Sequence, residues 1–209
     1  MRVVVLGAGG QLGREAVQIL SERGHSVCAA VRRPPSPAFQ GSVEVRLADA
    51  RNRADLRSAI RGCDAIVNVI GGGTLRKNDV ASTTSAVTVA AANQVGVHRY
   101  VAISAGMVAL DWALFKYVLR PLIFRHILAE HQRVEEVVKA SALAWTIVRP
   151  TALTNRPPTG YVASLELQPR TFVTSRADVA AFIADELESN TYVRRAVFVT
   201  SRRKQEKGD

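Results

Sequence analysis

The first thirteen residues constrain this chain most. Val3-Val4-Val5-Leu6 is apolar at every position, which suits a strand covered on both faces of a parallel sheet. It runs directly into Gly7-Ala8-Gly9-Gly10-Gln11-Leu12-Gly13, and an amphipathic pattern then continues to Arg23. The spacing Gly7, Gly10, Gly13 answers three steric demands of a strand–turn–helix that receives a pyrophosphate. These are a tight turn, a close backbone approach to phosphate, and close packing of helix on strand. N–H groups around Gln11 and Leu12 then point at the phosphates, and the helix dipole adds attraction. The alternative, a glycine turn without a ligand, fits the strand–turn–helix context less well.

The same rhythm continues along the chain. Apolar runs at Val3–Leu6, Val27–Val31, Val43–Leu47, Ala65–Val69, Tyr100–Ile103, Thr146–Val148, Phe172–Thr174 and Ala196–Thr200 read as strands. Amphipathic stretches at Leu12–Arg23, Ala54–Arg61, Ala81–Val95, Ala129–Ala140 and Arg176–Glu188 read as helices. Strand alternating with helix predicts βαβ crossovers and an α/β, doubly wound, mostly parallel Rossmann-like sheet. At 209 residues one domain is expected, with 151–175 forming a small substrate-side lobe after Pro150. Pro34-Pro35-Ser36-Pro37 reads as a stiff loop, and 202–209 as a frayed basic tail.

Composition narrows the class further. Hydrophobic residues make up 47% and charged residues 22%, which excludes disordered, collagenous and solenoid readings. The chain enters a strand at its second residue, leaving no room for a signal peptide, so a cytoplasmic location is expected. The formal charge of +10 favours anionic partners. The arginines are scattered, with no aromatic interleave and no DNA-binding motif, so nucleic acid is not the expected partner. Cys28 and Cys63 lack the spacing of a metal site and read as small buried thiols, a disulfide being the alternative. No metal is expected.

The end of the second strand selects the dinucleotide. An acidic residue there would accept from the ribose hydroxyls, but the chain presents Arg32 and Arg33. A guanidinium pairs with a 2′-phosphate and stacks on adenine, so NADP(H) is expected over NAD(H). The competing reading is a solvated loop.

Together these features resemble the atypical short-chain dehydrogenase/reductase superfamily, in particular the small NAD(P)H-binding group that includes flavin reductase (biliverdin-IXβ reductase). The resemblance covers nearly the whole chain. It rests on the glycine turn, Asp49, Asn68-Val69-Ile70-Gly71, Ser104, Trp145-Thr146-Ile147-Val148-Arg149-Pro150 and Ser175-Arg176-Ala177-Asp178-Val179-Ala180. It implies that Asp49 lies near the adenine amino group with Ala50 beside the ring, that Val69, Ile70 and Gly71 pack against ribose and adenine, and that Pro150 and Thr151 hold the nicotinamide. Asp49 also reads as a helix N-cap, and Arg149-Pro150 as a structural arginine before a strand-ending proline.

Catalysis is where the chain departs from the pattern. No tyrosine has a lysine four positions later, so the usual proton donor for carbonyl reduction is missing. The segment His131-Gln132-Arg133-Val134-Glu135 stands where many atypical members carry Lys-x-x-x-Glu. His131, Val134 and Val138 share a helix face, so His131 is expected to point inward. It reads as an acid or a carboxylate-fixing group, or as a core histidine. Ser104 reads as a substrate-facing hydroxyl, or as a turn cap.

The apolar stretch 112–128, broken by Pro121, reads as a lid over a planar acceptor, as core, as a protein or dimer face, or as an interfacial membrane contact. Its charges exclude a transmembrane span. Two functions follow. One is an NADPH-dependent reductase passing hydride to a flavin, quinone or tetrapyrrole-like acceptor, with Ser104 and His131 assisting. The other is a non-enzymatic NADP(H)-binding sensor or assembly factor. A weaker third is an isomerase or carbonyl reductase with its acid at an unrecognised position.

Overall fold

The amino-terminal apolar run forms β1 (Arg2–Leu6), in which Val3 to Leu6 are at most 1% exposed. The computed structural model describes residues 1–71, 79–106, 124–167 and 173–202. Val3 and Val5 pack into one hydrophobic cluster, Val4 and Leu6 into another. A strand hydrophobic on both sides needs helices on both faces, and the chain supplies them. α1 (Gln11–Glu22) and α5 (Arg176–Ser189) cover one face, with α2 (Arg53–Ile60), α3 (Val80–Val95) and α4 (Arg125–Lys139) on the other.

β1 pairs in parallel with β2 (Ser26–Val31) on one side and β4 (Ala65–Asn68) on the other. β3 (Glu44–Leu47) forms the near edge, while β5 (Arg99–Ile103), β6 (Ala144–Pro150) and β10 (Arg195–Ser201) extend the sheet beyond β4. The strand order is β3-β2-β1-β4-β5-β6-β10, with one further strand at the far edge. The chain leaves β1 in one direction and returns to build in the other. A crevice therefore opens at the carboxyl ends of β1 and β4, the place where open α/β sheets bind ligands.

The doubly wound expectation holds, and the main differences lie from α4 onward. Thr146–Val148 is the middle of a longer strand, and α4 begins four residues before the expected Ala129. The turn-rich segment beyond Pro150 contains two strands that its prolines and glycine masked, β7 (Ala152–Thr154) and β8 (Tyr161–Ser164). β8 runs antiparallel to β10 at the sheet edge. The expected strand at Phe172–Thr174 is β9 (Val173–Ser175), Phe172 lying outside the described residues, and it pairs with β7 in a separate two-stranded sheet. Most of the 112–128 stretch, residues 112–123, and the tail beyond 202 also lie outside the described residues. Both cysteines are buried free thiols, and burial pushes Cys63 up to about 12. No described helix is long and apolar enough to cross a membrane.

Two buried acids fasten this far half. Asp178, 1% exposed at the start of α5, accepts from the Ser201 hydroxyl and from the N–H groups of Thr159 (3.3 Å) and Gly160 (3.0 Å), pinning the proline-rich turn. Glu186, also 1% exposed, receives the Arg99 guanidinium at 2.8 Å, the Thr146 hydroxyl at 2.9 Å and the Tyr192 N–H at 3.0 Å. That single carboxylate ties β5, β6 and α5 together. Removing it strands a buried guanidinium, which costs more than the intact pair contributes. Glu186→Ala is expected to lose about 3–5 kcal/mol in urea unfolding; a loss under about 1 kcal/mol would show that water relieves Arg99.

Candidate functional site

A cleft of about 540 Å³ occupies the crevice at the carboxyl ends of β1, β2, β3 and β4. Its wall near β1 is the glycine turn. Gly7 has φ +83°, the left-handed region that glycine enters without strain. A Cβ on Gly13 would lie 2.2 Å from the Gly7 carbonyl oxygen, a clash of backbone with backbone. Glycine at 13 is therefore what lets α1 sit directly on the turn. The Gly10 N–H closes that turn onto the Gly7 carbonyl at 3.0 Å.

α1 starts without a side-chain cap and without an acid in its first turn. Its first internal bond runs from the Arg14 N–H to the Gly10 carbonyl, so the N–H groups of Gln11, Leu12 and Gly13 precede the helical ladder. An uncapped, acid-free helix end beside a glycine turn fits a pyrophosphate. Gly7, Gly10, Arg32, Arg33, Asp49, Ala50, Val69, Ile70 and Gly71 all line the cleft. Gln11, Leu12 and Gly13 are outside its lining. Leu12 and Gly13 are buried behind it, where they contribute packing and backbone.

At the β2–β3 end of the cleft, Arg32 and Arg33 leave β2 exposed and form no ion pair among the described residues. Asp49 is not the N-cap. Asn52 caps α2, accepting from the N–H groups of Ala54 and Asp55. Asp49 instead orders the preceding turn, accepting from the Arg51 N–H at 3.0 Å. Leu6, Ala30, Ala48 and Leu56 form apolar lining, and Thr84 of α3 adds a buried hydroxyl. Asn68 holds the Val69–Gly71 wall, accepting from the Ile70 N–H at 3.1 Å while its amide donates to the buried Tyr100 hydroxyl at 2.9 Å. Sequence reasoning gave Asn68 no role of its own, and it missed Arg51.

Farther along the same sheet edge stand Ser104 after β5 and Arg149, Pro150 and Thr151 at the end of β6. None of these lines the cleft, nor does His131. Glu135 of α4 is their organiser. It accepts from the Ser104 hydroxyl at 2.9 Å, from Arg149 through two nitrogens at 2.8 and 2.6 Å, and from Lys139 at 2.8 Å. Burial alone would raise this carboxyl, but Arg149 and Lys139 outweigh it and hold it below its ordinary range. The Arg149-Pro150 signal is thus realised as a structural arginine, and the Ser104 proton is committed to Glu135. The Thr151 hydroxyl is paired with that of Thr174 at 2.7 Å.

His131 lies one turn before Glu135 on the inward face of α4, 6% exposed, with Val134 and Val138 buried beside it. Its Nδ1 is buried without a hydrogen-bond partner among the described residues. The neighbouring Glu130 does not take that role. It faces α3, accepting from the Ser82 N–H at 2.8 Å and the Ser82 hydroxyl at 2.9 Å, and so docks the two helices. Burial holds the His131 pKa below its ordinary 6.5 despite the pull of Glu130 and Glu135. The chemistry available is that of a neutral imidazole with a vacant ring nitrogen. Among the described residues there is no metal-ligand cluster.

Two outcomes follow from this geometry. Gly13→Ala forces α1 off the turn and is expected to weaken both NADPH and NADH by at least about tenfold, with a lowered melting temperature; unchanged titrations would remove the packing argument. For His131, the unfolded chain takes up a proton as pH falls through 6.5 that the folded chain refuses. Stability is therefore lost on the acid side. Between about pH 7.5 and about pH 5.5, urea unfolding is expected to show a smaller loss for His131→Leu than for the unsubstituted chain; equal losses would place water on Nδ1.

Comparison with known proteins agrees with this geometry. The uncharacterized sugar epimerase YhfK of Bacillus subtilis is 30% identical over 208 residues, covering 96% of this chain and 94% of that one. A short-chain dehydrogenase/reductase from Veillonella parvula, solved in complex with NADP, superposes with TM-score 0.79 at 20% identity over 97% of this chain and 95% of that one. ChuY, an anaerobillin reductase from Escherichia coli O157:H7, does so with TM-score 0.78 at 18% identity over 98% and 99%. At these identities the two structures speak for the fold. The family model described as NAD(P)H-binding matches residues 7–190, from the glycine turn to the end of α5, and the chain belongs to that family.

Proposed function

We propose that this protein is an NADPH-dependent reductase that delivers hydride to a planar acceptor of the flavin, quinone or tetrapyrrole class. The observation that carries this reading is the composition of the sheet edge beyond the cleft. Among the described residues there, the Ser104 hydroxyl donates to Glu135, Arg149 gives two nitrogens to the same carboxylate, and His131 is a neutral imidazole whose Nδ1 has no partner. Such an edge is poorly equipped to protonate a localised alkoxide, whereas an acceptor that spreads charge over a ring system needs stacking and orientation more than a strong acid. The bound cofactor supplies the hydride. The ChuY neighbour, named for a reductase activity, supports the acceptor class.

In this reading the residues divide by position. The Gly7–Gly13 turn and the start of α1 hold the pyrophosphate, Arg32 and Arg33 take the 2′-phosphate, and Asp49, Ala50, Val69, Ile70 and Gly71 frame adenosine. Pro150 and Thr151 bound the nicotinamide side. Ser104, its proton held by Glu135, presents oxygen lone pairs as an acceptor, and His131 exchanges a proton through its ring. The described part of the 151–175 segment borders the acceptor. A second reading, an NADP(H)-binding sensor or assembly factor, draws on the same saturated Ser104–Glu135–Arg149 network, because a fully paired network serves as well to hold a shape.

Anaerobic NADPH oxidation against FMN, riboflavin, quinones and biliverdins, with NADH in parallel, separates the two. Saturable turnover with NADPH preferred is the expected result. No turnover, with NADPH still raising the melting temperature, would establish the sensor. On a verified acceptor, His131→Ala is expected to cost roughly tenfold to a hundredfold in kcat and to flatten the pH profile; an unchanged profile and rate make the imidazole structural.

A further inference from the structure

Arg51 is a third arginine at the adenosine end of the cleft, and it is placed differently from the other two. It lines the cleft together with Arg32, Arg33 and Asp49. Its backbone is held by a built turn. The Asp49 side chain accepts from the Arg51 N–H at 3.0 Å, the Asn52 N–H donates to the Asp49 carbonyl at 2.8 Å, and the Asp49 N–H donates to Asp55 at 3.0 Å. The backbone is fixed while the side chain stays 54% exposed.

Among the described residues the Arg51 guanidinium has one anionic contact, Asp79 at 3.9 Å, just before α3. Asp79 is itself 77% exposed. A pair this open and this long contributes little to stability, so it exchanges readily for a better anion. A phosphate monoester is that anion, carrying more charge and three acceptor oxygens that match the guanidinium fork.

Resting on the NADPH reading above, we infer that Arg51 is a specificity-determining ligand of the cofactor's 2′-phosphate, and that Asp79 is an internal stand-in anion that the phosphate displaces. Arg32 and Arg33 approach from the end of β2 and Arg51 from the β3–α2 turn, so the phosphate is gripped from two elements. Asp79 then acts against binding, since its carboxylate must be released, and it does so only for the ligand that carries the phosphate.

The test is equilibrium binding of NADPH, NADH, 2′-AMP and 5′-AMP to the unsubstituted protein and to Arg51→Ala, Arg51→Lys, Asp79→Asn and the Arg32→Ala/Arg33→Ala pair, with melting temperatures as the folding control. Arg51→Ala is expected to weaken NADPH and 2′-AMP by roughly tenfold while NADH and 5′-AMP change less than about twofold, with partial recovery in Arg51→Lys. Asp79→Asn is expected to tighten NADPH and 2′-AMP by about twofold to fivefold, with NADH unchanged. Equal losses for NADPH and NADH in Arg51→Ala, or no loss, would overturn the assignment of Arg51. No tightening in Asp79→Asn would overturn that of Asp79. If the Arg32→Ala/Arg33→Ala pair leaves the NADPH to NADH ratio intact, the 2′-phosphate reading itself fails, a result distinct from failure at Arg51 alone.

Discussion

Everything on the cofactor side depends on one contact between backbones, that of Gly13 against Gly7. With a would-be Cβ only 2.2 Å from a carbonyl oxygen, the helix touches the turn with nothing between them. This proximity sets the direction in which α1 leaves β1. It also aims the unpaired N–H groups of the first helical turn, and it leaves the crevice at the strand reversal open rather than filled by side chains. The lack of an N-cap on α1 belongs to the same design. A serine or aspartate at Gly10 would satisfy those N–H groups from within and compete with a phosphate for them. The helix gives up some stability of its own and keeps an anion site.

How far the sequence discloses the fold follows from where local and global demands agree. Up to β6 they mostly coincide, because β1, β2, β4 and β5 are buried on both faces and α1 and α4 bury one apolar side; the exposed edge strand β3 is legible only by its alternation with the helices around it. Runs such as Val3–Leu6 and the spacing along α1 are therefore legible from residues alone. After Pro150 they part. β8 carries Val162 exposed at 40% on a sheet edge, and β7 is a three-residue strand. Neither buries enough to imprint a pattern, and both sit among prolines and glycines that mark turns. Their placement comes from Asp178, whose side chain holds the turn from the far end of the sequence interval.

The site divides along the same line. Residues of the cleft wall were legible because phosphate binding imposes backbone geometry, and backbone geometry selects glycine. Arg51 was not, since an arginine in a turn between strand and helix looks like any solvated arginine until the cleft is seen to open beside it. The role of Glu135 was equally hidden. The sequence marks Glu135 only as the end of a motif-like segment, yet it is buried, and only the meeting of α4 with the ends of β5 and β6 shows why an acid is tolerated there. Three donors from three elements converge on it, and their combined pull overcomes the cost of burial.

Glu135 also determines what His131 can do. A lysine at this position would be a fixed positive charge and would draw in an anion. A buried imidazole with a depressed pKa supplies no such charge near neutral pH, and the positive charges close by, on Arg149 and Lys139, are already engaged with Glu135. The chain as a whole carries +10, and part of that charge stands at the opposite end of the edge, where Arg32, Arg33 and Arg51 line the cleft. On the reading proposed above, the tasks separate along one sheet edge. Charge would recognise the cofactor at one end and shape with a neutral imidazole would meet the acceptor at the other, a division that would favour a broad, weakly polar substrate over a small charged one.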